Sequence, residues 1–441
     1  MKVVLLGSGY SAIWSYRALR RWMGDSAEIT VVAPFDEHVF HGFTGEVLDG
    51  ELSPDLQRSP LSECLPRAHR VRGWATAVDP QRREVTVEWQ GERTVVGYDQ
   101  LVVATGARER TEGVPGLAEH GWPLRFPGLV QGLLDHLASL DATPPADAED
   151  AQRRRTIVVV GGGLAGTEVA AALGRRYGDS RRVVLVAATP TVVPLWQDKP
   201  WLHERVLRNL ATAGVDLLPS SRVAEVDETG VRLANGVHIG AATVVSTLGN
   251  TVPVLPGLER YQGADGLLQV DHCLRVTDGV WSAGDAAAVR SRSGIAPKDA
   301  IWAIRAGTKV GRNIALVARG RAPRRFGFRG LGTVASFAPG RAVAKVYGVR
   351  LSGVSAWAVR AAFFLWYVPS RRTAMRIVGT SLGGALLNLR PALPAFGAAR
   401  TATAVRTVPR PALFSIDGGR VTRPVVPAPM RAEARRSAAS G

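Results

Sequence analysis

The chain has 441 residues, enough for two or three domains with buried cores. Its 46% hydrophobic and 21% charged content excludes a disordered protein, and two distant cysteines, Cys64 and Cys273, exclude a disulfide scaffold. The net charge of +17 is unevenly placed: residues 321–441 carry 20 Lys/Arg against Asp417 and Glu433, a net of +18, and residues 1–320 carry −1. A near-neutral body with a basic C-terminal region points to an anionic surface as that region's partner.

The first strand, within KVVLLGSG, starts at once and no signal peptide precedes it, so a cytoplasmic protein with two free thiols is expected. The strand runs into a glycine turn (Gly7, Gly9) and a helix that opens with Tyr10, Ser11 and Ala12, followed by a second strand over Glu28–Val32. This is the order of a parallel βαβ unit. Gly7 permits a tight turn, Gly9 lets backbone approach a diphosphate, and Ala12 lets helix pack on strand. The helix N-terminus then offers free N–H groups and a positive dipole to an anion. Further on, REVTVEW alternates apolar and polar residues as a half-buried antiparallel strand does. In YDQLVVATGARER (Tyr98–Arg110) a strand enters the small-residue turn Thr105, Gly106, Ala107, which lets backbone pass close to a bound nucleotide.

Asp141–Arg155 is polar and proline-bearing and reads as a linker. The βαβ pattern then repeats: TIVVVGGGLAGTEVAAALGRR carries Gly161, Gly163 and Gly166 and leads to a strand over Val183–Val186. Ala12 to Ala33 spans 21 positions and Gly166 to Ala187 spans 21, so the two units share one register. Both end in alanine where a carboxylate that grips an adenosine ribose is expected. Arg181 and Arg182 precede the strand and belong at its opposite end, so the second unit carries neither the acid of an NAD site nor the arginine of an NADP site. VWSAGDAAAV (Val280–Val289) reads as a strand that reaches Gly284 and Asp285 at the start of a helix. There Asp285 can accept from a polyol hydroxyl, or serve as a plain helix cap. Ala361–Val368 (AAFFLWYV) is too short to span a bilayer and, with Trp357 and flanking arginines, suits an interfacial helix or an ordinary core helix. Nucleic acid is disfavoured as the basic region's partner, because the arginines are scattered and no binding module is present.

The order of these motifs resembles the flavoproteins of the pyridine nucleotide–disulfide oxidoreductase superfamily, and within it the type II NADH dehydrogenases, peripheral NADH:quinone oxidoreductases. Residues His38–Leu61, Val244–Leu258, Gly266–Ala287 and Leu331–Ile377 are similar to family segments in the same order, the last to the family's membrane-binding module. The resemblance implies an α/β fold of two Rossmann-like domains, for FAD and NAD(P), plus a C-terminal membrane-association module. It implies an FAD-binding domain at 1–140 and 263–325, a linker at 141–155, an NAD(P)-binding domain at 156–262, the membrane module at 326–390 and a disordered basic tail at 391–441. FAD contacts are implied for Gly7, Gly9, Tyr10, Ser11, Ala12, Thr105, Gly106, Ala107, Gly284, Asp285, Ala300 and Ile301. Contacts to NAD(P)H are implied for Gly161, Gly163, Leu164, Ala165, Gly166 and Gly249. Glu168 matches an acidic residue near both cofactors, a catalytic candidate, although a Glu in a first helical turn is also favoured by the dipole alone.

Two departures stand out. No CxxxxC follows the first clasp, so protein disulfide chemistry is set aside. The family's Ala-Gln pair and second Gln near the flavin are Ala300, Ile301 and Arg305 here. The expected function is hydride transfer from NAD(P)H to FAD and then electrons to a quinone, on the cytoplasmic face of the membrane, as a monomer or a homodimer. The alternatives are a flavin oxidoreductase with another acceptor and a flavin-binding sensor or scaffold with degenerate sites.

Overall fold

The structure, a computed structural model, describes residues 1–253, 255–291, 294–388, 415–417 and 420–422. Lys2–Leu6 is central in a six-stranded sheet. It pairs in parallel with Glu28–Ala33 on one side and Gln100–Val103 on the other. His69–Arg72 extends the first side and Val280–Ser282 the second, and Arg275–Thr277 adds an antiparallel edge. The second sheet is wholly parallel, with Thr156–Val160 between Thr243–Ser246 and Arg182–Val186, and Gly121–Trp122 and Val215–Leu218 at the edges. The near-continuous Val/Leu runs of these strands fit their burial on both faces.

Helix Ala300–Val317 lies against helix Tyr10–Met23 at a close approach that two glycines allow. A side chain at Gly307 or Gly311 would press within 2.3 Å of the Ser11 carbonyl or 2.5 Å of the Ser15 carbonyl. REVTVEW becomes strand Glu84–Trp89 of an antiparallel trio with Trp74–Asp79 and Glu92–Gly97, with Val85 and Val87 turned inward.

The stretch read as a linker is partly helical. Asp147 caps helix Ala148–Arg154 by accepting from the Asp150 N–H, and Arg153 and Arg154 pair with Glu149 and Asp150 one turn back. The second sheet also recruits residues ahead of that stretch. Gly121–Trp122 is its edge strand, and Val130, Leu133 and Leu137 of helix Leu129–Ala142 share a core with Ile157 and Val159. The crossover between the two sheets is a short antiparallel ribbon, Arg108–Glu109 on Asn250–Thr251.

Beyond Gly332, three antiparallel strands (Gly332–Ala338, Arg341–Val346, Val349–Gly353) lead into helices Val354–Tyr367 and Arg371–Asn388. Among the described residues no helix is long and apolar enough to cross a membrane. The expected disordered tail, 391–441, lies outside the described residues except for Ser415–Asp417 and Arg420–Thr422, which pair antiparallel.

Candidate functional site

The two glycine turns coincide bond for bond. Gly7 N–H donates to the Val32 carbonyl at 2.8 Å, and Gly161 N–H donates to that of Val186 at 2.9 Å. Each glycine has positive φ, +108° and +119°, and each faces backbone of a neighbouring strand end so closely that a Cβ would lie 2.4 Å from the Ala104 oxygen or 2.6 Å from that of Thr247. Gly9 and Gly163 instead face open space, with no atom within 4 Å of an added Cβ. The third position packs: Gly166 sits on the Gly161 carbonyl, and Ala12 is fully buried.

Helices Tyr10–Met23 and Leu164–Tyr177 both begin without a side-chain cap and without an acidic residue in the first turn. Helices Ala148–Arg154 and Ala300–Val317 are capped by Asp147 and Asp299, but Leu129–Ala142 and Pro200–Thr212 also begin uncapped. What sets the helix ends at Tyr10 and Leu164 apart is their place directly after the central parallel strands. Uncapped amides and a positive helix end, opened to approach by a glycine, fit a diphosphate at each turn.

Around the first turn the structure brings most of the expected residues together. Thr105 and Ala104 back Gly7, Gly106 holds φ +70°, and Gly284 lies against the Ser11 hydroxyl and Ala303. Gly284, Asp285, Asp299 and Ala303 line one cleft. Ile301 is 9% exposed and packs in the core with Ala12 and Ala104, so its side chain is structural. Asp285 departs from expectation. It sits on a single 3-10 turn, Gly284–Ala286, and is followed by extended chain, so no helix N-terminus is supplied there. Its carboxylate takes Arg125 Nη2 at 2.7 Å instead.

Arg125 was not singled out in the sequence, nor was His41. Burial holds the His41 imidazole neutral, down at about 3, helped by Arg125 and His38. His38 Nδ1 lies 2.9 Å from the Ser8 carbonyl, and its pKa is down at about 4 through burial. Tyr10 packs edge-on against His38 and Phe40. No spacing rule flags these residues. They meet because the loop after the second strand folds back over the glycine turn.

At the second turn Leu164 is half-buried, Ala165 is exposed, and Gly249, with φ +90°, accepts from the Arg110 N–H through its carbonyl. Glu168 lies beyond the first turn of its helix, so the helix end does not account for it. Its Oε1 accepts from the Ser336 N–H at 2.8 Å. Burial raises its pKa to about 7, against the pull of nearby Arg360. Arg360, 5% exposed, reaches in from the C-terminal helix to pair with Glu46 and donate to the Gly42 carbonyl. The Arg360–Glu46 pair, with the half-buried Glu168 nearby, thus lies where both glycine units meet the C-terminal module. At the end of the second unit's second strand Ala187 is fully buried beside Gly162 and Val192, while Arg182 pairs with Thr156 at the far end of the strand, as expected. The two cysteines are free, and the buried Cys64 thiol is pushed up to about 12.

The family model described as pyridine nucleotide-disulphide oxidoreductase matches residues 1–332. An NADH dehydrogenase-like protein of Mycobacterium tuberculosis is 33% identical over 308 residues, covering 66% of this chain and 73% of that protein. A type II NADH:quinone oxidoreductase of the same species is 27% identical over 406 residues, 84% of each chain. A demethylphylloquinone reductase of Synechocystis is 27% identical over 384 residues, 84% of this chain and 92% of that protein. The solved structure of NDH2 from Plasmodium falciparum in complex with NADH superposes with a TM-score of 0.78 at 14% identity, over 87% of this chain and 98% of that one, and so shares the fold. With both glycine turns inside the matched region, the chain belongs to the pyridine nucleotide-disulphide oxidoreductase family.

Proposed function

We propose that the chain is an FAD-dependent NAD(P)H dehydrogenase that passes electrons to a quinone-type acceptor at a membrane surface. The observation that carries this reading is the pair of uncapped helix ends opened by Gly9 and Gly163, with the Arg360–Glu46 pair and Glu168 where both units meet the C-terminal module. The names of the relatives favour a quinone over the sensor or scaffold alternative.

FAD would be held at the first turn by the Tyr10 and Ser11 amides, by the Thr105–Gly106 backbone and by Asp285, and NAD(P)H at the second by Gly163, Leu164 and Gly249. Bound there, FAD supplies two-electron acceptance from a nicotinamide and delivery to a quinone. The side chains do the rest. Asp285 accepts from a cofactor hydroxyl, the neutral His41 and Tyr10 enclose the cleft, and Glu168 holds or releases a proton at its Oε2 near neutral pH. With no carboxylate or guanidinium at Ala187, the second turn discriminates weakly between NADH and NADPH.

The C-terminal module supports the membrane assignment. Residues 321–380 contain 11 Lys/Arg and no acid. Val354, Val359 and Trp366 are exposed on one helix, and Met375 and Val378 on the next. Stopped-flow mixing with NADH and with NADPH should bleach the flavin at comparable rates, and a quinone should restore the colour. A flavin that neither coenzyme bleaches sinks the dehydrogenase reading.

A further inference from the structure

The segment Leu124–Phe126 reaches Asp285 at the edge of the cleft through Arg125, and its three residues are each tied down. The Leu124 N–H donates to Glu109 Oε1 at 2.6 Å. Phe126 packs on Phe35 and Trp74, ring centroids 5.7 and 6.4 Å away, at the adenosine end of the first unit. Arg125 Nη2 meets Asp285 at 2.7 Å, and with the Asn250 amide turned to satisfy its neighbours, Nη1 meets its oxygen at 3.0 Å. The side chains of the Arg125–Asp285 pair are only 24% and 15% exposed. Tyr10 and His41 lie close enough to feel the Arg125 charge.

The charges at this cleft do not balance without that arginine. The cleft sets Asp285 and Asp299 against Lys298, and Asp299 already caps the helix end at Ala300. A dinucleotide adds a dianionic diphosphate, and the uncapped helix end at Tyr10 offers only about half a positive charge against it. The helix end expected at Asp285 is absent, since only a single 3-10 turn stands there. We propose that Arg125 is a cofactor-positioning residue: it offsets the charge of Asp285 and of the FAD diphosphate together, and fixes Asp285 so that its second oxygen faces the cofactor's hydroxyls. The proposal rests on the flavoprotein reading above.

The test uses full-length protein, stripped of flavin and titrated with FAD and, separately, with riboflavin, which lacks the diphosphate. Arg125→Ala should weaken FAD by roughly tenfold or more, the equivalent of one charged hydrogen bond, and weaken riboflavin, which keeps the hydroxyls that face Asp285 but lacks the diphosphate, by several-fold less. Arg125→Lys should recover most of the loss. Adding Asp285→Asn to Arg125→Ala should cost no further affinity, because the unpaired carboxylate is gone. Equal weakening of FAD and riboflavin would mean that Arg125 only holds the fold, and FAD binding unchanged in Arg125→Ala would also overturn the proposal. Should Arg125→Ala not fold, Arg125→Gln and salt carry the test: wild-type FAD affinity should fall with salt while riboflavin affinity does not, and a salt-independent FAD affinity overturns the idea. A wild-type chain that binds neither flavin overturns the flavoprotein reading itself, a result distinct from all of these.

Discussion

Glu168 and the paired glycines make different demands at the scale of single residues. Burial raises the Glu168 pKa from 4.5 to about 7, so the folded chain binds a proton that the unfolded chain has released between those values. The associated stability is present below about 4.5 and is lost as pH rises toward 7. Glu168→Gln should therefore flatten the pH dependence of flavin bleaching by NADH around neutrality, and should raise the melting temperature at pH 8 more than at pH 5. An unchanged profile would remove Glu168 from the proton path. Gly7 and Gly9 separate folding from binding. An alanine at Gly7 must hold φ +108° with its Cβ 2.4 Å from the Ala104 oxygen, which costs about 1–3 kcal/mol. A Cβ at Gly9 has no protein atom within 4 Å. Gly9→Val should thus purify colourless yet melt like flavin-stripped wild type, whereas Gly7→Ala should melt below it. Gly9→Val that keeps its flavin would mean that the diphosphate lies elsewhere.

Helix Val354–Tyr367 divides its residues between two environments. Successive side chains turn by about 100°, so an unbroken apolar run presents itself all round the axis. Phe364 stacks edge-on against Phe40 and Phe43, Arg360 pairs with Glu46, and Val354, Val359 and Trp366 face outward. Core helix and interfacial helix were posed as alternatives in the sequence, and the inward face of this helix packs as core. Phe364→Ala should destabilise by ~2 kcal/mol, below the 3–5 typical of a fully buried Phe because this ring is half-buried. Trp366, 68% exposed, should be replaceable by Ala within about 0.5 kcal/mol, yet its loss should weaken sedimentation with anionic vesicles. Equal vesicle binding by the Trp366→Ala variant would take that face out of the membrane contact.

The charge asymmetry acts at the scale of the whole molecule. Basic side chains near an anionic leaflet contribute about 1 kcal/mol each, a term that salt screens, while apolar contact persists in salt. Full-length protein should bind anionic vesicles at low salt, loosen only in part at high salt, and need detergent for full release. Protein that stays in the supernatant at low salt would refute the membrane contact. Removing residues from 350 onward is a poor way to test this. Arg360 and Phe364 fill the joint between Glu46, Glu168 and the glycine units, and their deletion exposes that joint as well as the anchor.

Much of this protein is settled by local pattern. Strand, glycine turn and helix follow one another within about 20 residues, so both βαβ units, their shared register and the tight turns at Gly7 and Gly161 could be read from residue spacing. The alternation of REVTVEW was legible for the same reason. What the spacing does not contain is which distant segments meet. Arg125 lies 160 positions from Asp285, and Glu168 lies 168 from Ser336. A helix forms within the proline-bearing linker because Asp147 and its charge ladder stabilise it past the prolines. Gly-Asp before Ala-Ala-Ala suits a helix start locally, yet Leu268 draws Ala287 into a β-bridge and pulls the chain straight. Local sequence determined where a helix end stands open behind a glycine turn. Only the tertiary structure decided which charges surround it, because buried ion pairs form between segments that packing, not proximity in the chain, brings together.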